Sequence, residues 1–372
     1  MPFDAEGSAL RERLLETFRT PAVTPLDETT FDSLARDIFA WQLERNRPLA
    51  AYCARRDISA ASIRHWSGIP PIPTAAFKEV ALVTGHPADA QAVFRTSGTT
   101  RGGEKRGAHY VLDLALYDAA LLPVFEAWLL PDGVRPRMLS LIPRAADMPD
   151  SSLAHMISTV IDALGGPGSG WFASVDGGLD HDALSSTVRH AAAAAEPLCL
   201  LGTSLSFVHW MAALRERGER HTLPPGSRLM DTGGTKGRSR SVTAESLRAD
   251  YASLLGIPPE ACINEYGMTE MMSQFYDSTL RDPGGPRRKT PPPWVRTRVV
   301  DPITLQPLAA REPGLLQHFD LANMGSVIAV QTEDLGIIAE DGFEVLGRAT
   351  GAQPRGCSIA MDDLLSATRA AG

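Results

Sequence analysis

Four short apolar runs, set between helical patterns, constrain this chain more than any other feature. The runs lie at 138–142, 198–201, 229–230 and 262–263. Helical patterns fall at 112–130, with Pro123 as a kink, and at 153–164, 207–214 and 244–255. Strands alternating with helices predict an α/β layered fold with a largely parallel sheet, because a parallel pair needs a crossover long enough to hold a helix. From Trp294 onward the pattern changes to short β-rich runs, VRTRVV, GLLQHFD, GSVIAVQT and FEVLGR, separated by Pro, Gly and Asp turns. These predict a smaller antiparallel sheet or barrel. The run DPGGPRRKTPPP at 282–293 is a loop between the two regimes. Near the N-terminus Ser8 is a candidate N-cap, with Leu10, Leu14, Leu15 and Phe18 at helical spacing behind it. A second amphipathic stretch follows Thr30, and a proline-rich run, IPPIPTAAFK, occupies 69–78. The expected organisation is a helical entry segment over 1–80, an α/β core over 81–285, and a β-rich subdomain over 286–372. In fold terms this is two parallel-rich lobes flanked by helices, plus a small β part.

The chain has 372 residues, of which 44% are hydrophobic and 22% charged. That balance excludes a disordered chain, a collagen and a coiled coil. The formal charge of −8 argues against nucleic acid as a partner. No run of apolar residues is long enough for a membrane span. The N-terminus is acidic and amphipathic, unlike a signal peptide. Cys53, Cys199, Cys262 and Cys357 lie far apart, with neither a CxxC pair nor metal-ligand spacing. They read as reduced thiols of a cytoplasmic protein.

The most informative segment is FRTSGTTRGGEKRGAH, 94–109. An apolar approach runs into Thr96, Ser97, Gly98, Thr99 and Thr100, and Lys105 follows. Glycines and small hydroxyls let backbone N–H groups close around an anion, and a lysine adds charge. The spacing is not that of a Walker loop, since Glu104 stands where that motif needs lysine. The plain alternative is a solvated Gly/Thr turn. A second segment, NEYGMTEM, holds Asn264, Glu265, Tyr266, Gly267, Met268, Thr269 and Glu270 just after an apolar run. Ligands of open α/β sheets bind at the carboxyl ends of strands. Glu270 there can hold a divalent cation, Thr269 can donate to a phosphate, and Tyr266 can stack on a base. A third, LMDTGGTKGRS, ends an apolar run in Gly233, Gly234 and Thr235, which suits close approach of a flat ligand or an ordinary βα turn. A fourth pairs TEDLG, with Asp334, and LGR, with Arg348. Asp334 can accept from ribose hydroxyls or serve only as a turn aspartate. His109 can contact a phosphate or cap a helix. By position alone, acyl-pocket candidates fall at 171–174, 201–207 and 268–273.

Taken in order, these segments resemble the adenylate-forming superfamily of acyl-CoA synthetases, adenylation domains and luciferase. FRTSGTTRGGEK resembles its phosphate loop, GGT its adenine-side loop, YGMTE its phosphate and magnesium strand, TEDLG its ribose aspartate, and LGR its hinge segment. Within the superfamily, IPPIPTAAFK, GGTKGRS and LGRATGAQPRGCS resemble the LuxE-type acyl-protein synthetases. The resemblance implies an ATP- and Mg2+-dependent ligase that turns a fatty or aromatic carboxylic acid into an acyl-adenylate. Thr96 to Thr100 would cradle phosphates, Glu270 hold the metal, Thr269 contact the α-phosphate, Asp334 bind ribose, and Gly233 to Thr235 border adenine. The chain departs from the superfamily in having only 15 residues after Cys357, so the C-terminal lid and its lysine are expected to be absent. Lys105, Lys236 or a partner would then supply that charge.

A cysteine in the terminal segment of that family resembles an acyl acceptor, and RGCS places Cys357 beside Arg355 and Gly356. A guanidinium favours the thiolate, and a thiolate attacks an acyl-adenylate readily. The acyl group would pass on to a reductase, a carrier protein or CoA. Two alternatives stand beside this reading. One is a stand-alone ligase that delivers acyl groups to CoA, a carrier thiol or an amine, with Cys357 structural. The other is a non-catalytic nucleotide-binding scaffold.

Overall fold

The computed structural model describes residues 3–97, 105–233, 242–349 and 364–366. The chain divides into two compact units, one of Met1–Pro123, Met268–Gln274 and Thr290–Gly372, the other of Val124–Gly267 and Phe275–Lys289.

The second unit carries the alternating pattern. Its strands Cys262–Tyr266, Arg228–Thr232, Leu198–Thr203, Arg137–Ser140 and Gly170–Trp171 run parallel in that spatial order. Phe275–Asp277 adds to the Cys262–Tyr266 side as an antiparallel strand. Leu198–Leu201 is buried on both faces, which is why it reads as an unbroken apolar run rather than an alternation. Helix Ser204–Glu216 starts where the Thr203 side chain accepts from Ser206 N–H. Its Phe207, Trp210, Met211 and Leu214 fall at i, i+3, i+4 and i+7 and enter the core with Leu200, Leu229 and Tyr251. Helix Ala244–Leu255 opens with a reciprocal Thr243–Ser246 capping box and closes at Gly256, whose φ of 70° needs a residue without Cβ.

A buried polar network fastens the end of this sheet. Lys289 Nζ donates to Asn264 O, Asn264 Oδ1 and Asp277 Oδ1 at 2.6, 2.8 and 2.9 Å. Asn264 Nδ2 in turn donates to Asp231 Oδ1 at 2.7 Å. The network ties Asn264, inside the second ligand motif, to the neighbouring strand.

The first unit holds the antiparallel regime. Val295–Val300, Gly314–Asp320, Ala329–Ala339 and Gly342–Arg348 pair in sequence order, as the change of pattern after Trp294 predicts. The proline-rich run contributes Ile72–Pro73, parallel to Ala329–Ala339, and then a 3-10 turn, Thr74–Lys78. The N-terminal helices are Ala5–Phe18, Glu28–Arg45 and Arg47–Ala54. Their starts differ from expectation. Asp4, not Ser8, caps the first by accepting from Gly7 N–H, and Asp27 caps the second by accepting from Thr30 N–H. Asp4, ahead of Ser8, takes the cap because its carboxylate meets the first free N–H groups. Among the described residues no helix is long and apolar enough to cross a membrane.

Candidate functional site

In the first unit the strands Ala92–Arg95 and Ala108–Val111 form an antiparallel hairpin whose arms lead into and out of the phosphate-loop segment. Gly98, Thr99 and Thr100 lie outside the described residues; the neck of the loop lies within them. Thr96 N–H donates to Gly107 O at 3.0 Å, and Gly107 N–H donates to Thr96 Oγ1 at 2.9 Å. A Cβ on Gly107 would stand 3.0 Å from Thr96 Cγ2, so glycine permits the close approach. Arg106 braces the same neck by donating to Thr96 O at 2.7 Å and Arg95 O at 3.1 Å. Thr96 therefore accepts to close the loop and keeps one hydroxyl proton to donate. Ser97 is exposed. Lys105 is also exposed, with Nζ 3.6 Å from the Glu79 carboxylate.

The turn 268–274 brings Thr269 and Glu270 to this hairpin. Phe94 and His109 face each other in the hairpin, and His109 Nδ1 lies 2.7 Å from Thr269 O. Glu270 is buried, and burial pushes its carboxyl up to about 7. Its own backbone N–H and the charge of Arg348 pull the other way, Glu333 adds repulsion, and Lys78 adds a further attraction. Arg348 pairs with Asp334 in the sheet and bonds Glu333 at 2.9 Å. Thus Thr96, Thr269, Glu270, Asp334 and Arg348, spread over two-thirds of the sequence, gather in one unit. Among the described residues no three acidic, His or Cys side chains cluster as a metal cage. Mg2+ does not need one: one or two carboxylates complemented by phosphate oxygens suffice, and a single buried carboxylate fits that requirement.

The second unit sets the other motifs side by side. Thr232 and Glu265 are register partners at the carboxyl ends of adjacent parallel strands, and Thr232 Oγ1 donates to the Glu265 carboxylate. Glu265 is buried and its carboxyl rises to about 7 through desolvation. Gly233 follows Thr232 with φ at 75°, while Gly234 and Thr235 lie outside the described residues. The Tyr266 ring packs 5.8 Å from Phe275, and Gly267 is exposed. Met268 begins the turn that belongs to the first unit.

Some sequence expectations change here. His109 neither caps a helix nor faces outward; it is buried and holds the Thr269 carbonyl. Leu201 and Phe207, named as pocket candidates, are wholly buried, and Phe207 belongs to the core. Asn323 and Asp320 had no sequence signal, yet both bind the 268–274 turn: Asn323 Nδ2 donates to Glu270 O at 2.8 Å, and Asp320 accepts from Ser273 N–H at 3.0 Å.

Cys357 lies outside the described residues. The other three thiols are buried, and desolvation pushes each up to about 12. A thiol must ionise and be reached to react. Alkylation of the native protein by iodoacetamide at about pH 8 is therefore expected to modify at most one cysteine, Cys357, with all four modified after unfolding. Peptide mass spectrometry reads the sites; fast native labelling of Cys53, Cys199 or Cys262 would contradict the burial.

The family model described as acyl-protein synthetase, LuxE, matches residues 174–366, just over half of the chain. The chain belongs to this LuxE family. It is 25% identical over 358 residues to the long-chain-fatty-acid–luciferin-component ligase of Aliivibrio fischeri, covering 90% of this chain and 88% of that protein. The Vibrio harveyi protein of the same name is 22% identical over 203 residues, and the match spans 52% of each chain. Among solved structures, an open conformation of 2-hydroxyisobutyryl-CoA ligase, in complex with 2-HIB-AMP and CoA, matches with a TM-score of 0.60 at 14% identity. That match covers 88% of this chain and 76% of the other, and it shows that the two share an α/β fold. Other matched solved chains are longer, and this chain spans 49% of their length.

Proposed function

We propose that this LuxE-family chain is an ATP-dependent acyl-protein synthetase acting on a carboxylic acid of the fatty class. The observation that carries the reading is the gathering of the loop neck at Thr96 with Thr269, Glu270, Asp334 and Arg348 in one unit, joined by the His109–Thr269 bond. The names of the curated relatives support a fatty acid as substrate.

In the first half-reaction a carboxylate oxygen of the acid attacks the α-phosphorus of ATP. The bond from that phosphorus to the bridging oxygen breaks, and its electron pair leaves with pyrophosphate. Acyl-AMP remains. Catalysis of such a transfer is mostly positioning and charge stabilisation. Thr96, Ser97, Gly98, Thr99 and Thr100 cradle the phosphates, Thr269 donates to the α-phosphate, and Lys105 adds positive charge beside the loop. Asp334 accepts from the ribose hydroxyls, with Arg348 beside it. Gly233, Gly234, Thr235, Glu265, Tyr266, Gly267 and Met268 supply the adenine side. Glu270 is the residue that would hold Mg2+, which when bound neutralises phosphate charge. In the second half-reaction the Cys357 thiolate attacks the acyl carbonyl, the carbonyl carbon–oxygen bond to AMP breaks, and a thioester forms. A reductase, a carrier protein or CoA then takes the acyl group.

ATP–pyrophosphate exchange tests the reading. Exchange dependent on long-chain fatty acids and on Mg2+ is expected. A chain that binds ATP yet shows no exchange with any of a broad panel of fatty and aromatic acids would overturn it.

A further inference from the structure

We propose that His109 is a positioning residue that latches the phosphate-loop hairpin to the Thr269–Glu270 turn and so sets the distance between them. The proposal rests on the reading of that turn as the element that faces phosphate and metal.

The chemistry of the contact fixes the state of the ring. A carbonyl only accepts, so at 2.7 Å from Thr269 O the Nδ1 atom carries the proton. The ring is fully buried, and desolvation drops it to about 4, so it is neutral at physiological pH. Nε2 is then a lone-pair acceptor, and it is buried with no hydrogen-bond partner among the described residues. An apolar side chain would fill this space beside the Phe77 ring, 5.8 Å away, without that cost. What histidine adds is the one donor at Nδ1, aimed at Thr269.

The place of the bond in the fold shows what it controls. Two residues before His109, Gly107 closes the loop neck with Thr96; across the hairpin, Phe94 precedes Thr96 by two. On the other side, the turn is held from beneath. Asn323 Nδ2 donates to Glu270 O at 2.8 Å and Val327 O at 3.1 Å. The Asp320 carboxylate accepts from Met272 N–H, Ser273 N–H and Ser273 Oγ at 3.2, 3.0 and 2.8 Å. Gln42 of helix Glu28–Arg45 anchors the 3-10 turn Leu321–Gly325 through Asn323 O and Met324 O. Asn323 and Asp320 thus fix the turn to the antiparallel sheet, and His109 ties the hairpin to the turn so fixed. Cutting the tie leaves Thr269 and Glu270 in place and lets the loop move relative to them. Displacements on the order of 1 Å at such a site can lower rates about a hundredfold.

The test compares His109→Leu, which removes the donor, with His109→Asn, whose amide nitrogen can take the place of Nδ1. In ATP–pyrophosphate exchange, His109→Leu is expected to lose about tenfold or more in kcat with KM for ATP changed by less than about threefold, and His109→Asn to recover most of the loss. Hydrogen–deuterium exchange of the hairpin strands 92–95 and 108–111 is expected to speed up in His109→Leu and return towards wild type in His109→Asn. Equal losses in the two variants, or hairpin exchange unchanged by leucine, would overturn the latch. If His109→Leu does not fold, His109→Asn decides: wild-type hairpin protection supports the latch and lost protection overturns it. Hydrogen exchange needs no enzymatic activity. A wild-type chain silent in pyrophosphate exchange would therefore sink the functional reading while the latch is still judged on its own readout.

Discussion

Glu270→Gln is expected to abolish pyrophosphate exchange and, at the same time, to make the chain more stable above neutral pH. The two effects share a cause. Burial raises the Glu270 carboxyl from 4.5 to about 7, so its charged form is held at a cost in the folded chain. The nearby charge of Arg348 offsets only part of that cost. Each pKa unit is worth about 1.4 kcal/mol, so at about pH 8 the ionised carboxylate costs on the order of 3 kcal/mol. Glutamine is neutral but brings an amide that needs partners, and the net gain is expected at about 1–2 kcal/mol. The sign follows from proton binding. Between 4.5 and about 7 the folded chain binds more protons at this site than the unfolded chain, so its contribution to stability falls as pH rises through that window. Below the window both states are protonated and the advantage of glutamine should vanish. Urea melts of both proteins across that range measure the crossover. Exchange should fall by about a hundredfold or more, because a neutral amide is a poor ligand for Mg2+ and stabilises no metal-bound phosphate charge. A glutamine variant that keeps its exchange rate, or is equally destabilised at both ends of the pH range, would remove Glu270 from the role.

That buried, costly carboxylate also marks the limit of what the sequence makes legible. The parallel strands of the second unit are readable because burial on both faces writes a local signature, as in Leu198–Leu201. The antiparallel strands after Trp294 are readable because Pro, Gly and Asp punctuate them. Helix starts are less so: Asp4 and Ser8 are both good caps within about one turn of each other, and only the path of the preceding chain decides. The loop neck follows from small residues at close spacing, but the tie from His109 to Thr269 joins residues 160 apart and leaves no local mark. Asn323 and Asp320 are invisible for the same reason. Apolar residues give the opposite difficulty. Phe207 has the composition of a pocket wall, and only packing distinguishes lining from filling.

Cys357→Ala is expected to separate the two half-reactions. In the proposed mechanism acyl-AMP formation draws on Thr96, Thr269, Glu270 and Asp334, none of which depends on a thiol, so pyrophosphate exchange should persist within about threefold of wild type. Acylation of the protein should disappear. No other cysteine can substitute, because Cys53, Cys199 and Cys262 are buried with thiols raised to about 12. At about pH 7.5 their thiolate fraction is on the order of one in ten thousand or less, and burial removes access as well. Cys357, in contrast, follows Arg355 and Gly356 in the sequence, and a guanidinium beside a cysteine favours its thiolate. The measurement uses labelled fatty acid with ATP, followed by hydroxylamine, which cleaves a thioester, and by mass spectrometry of the peptide carrying residue 357. Wild type should carry a hydroxylamine-labile acyl group there, and the alanine variant none anywhere. A variant that still accumulates a labile acyl group, or still passes acyl to its acceptor at the wild-type rate, would leave Cys357 without a catalytic part. Acyl-AMP would then have to be consumed directly by the acceptor's own nucleophile.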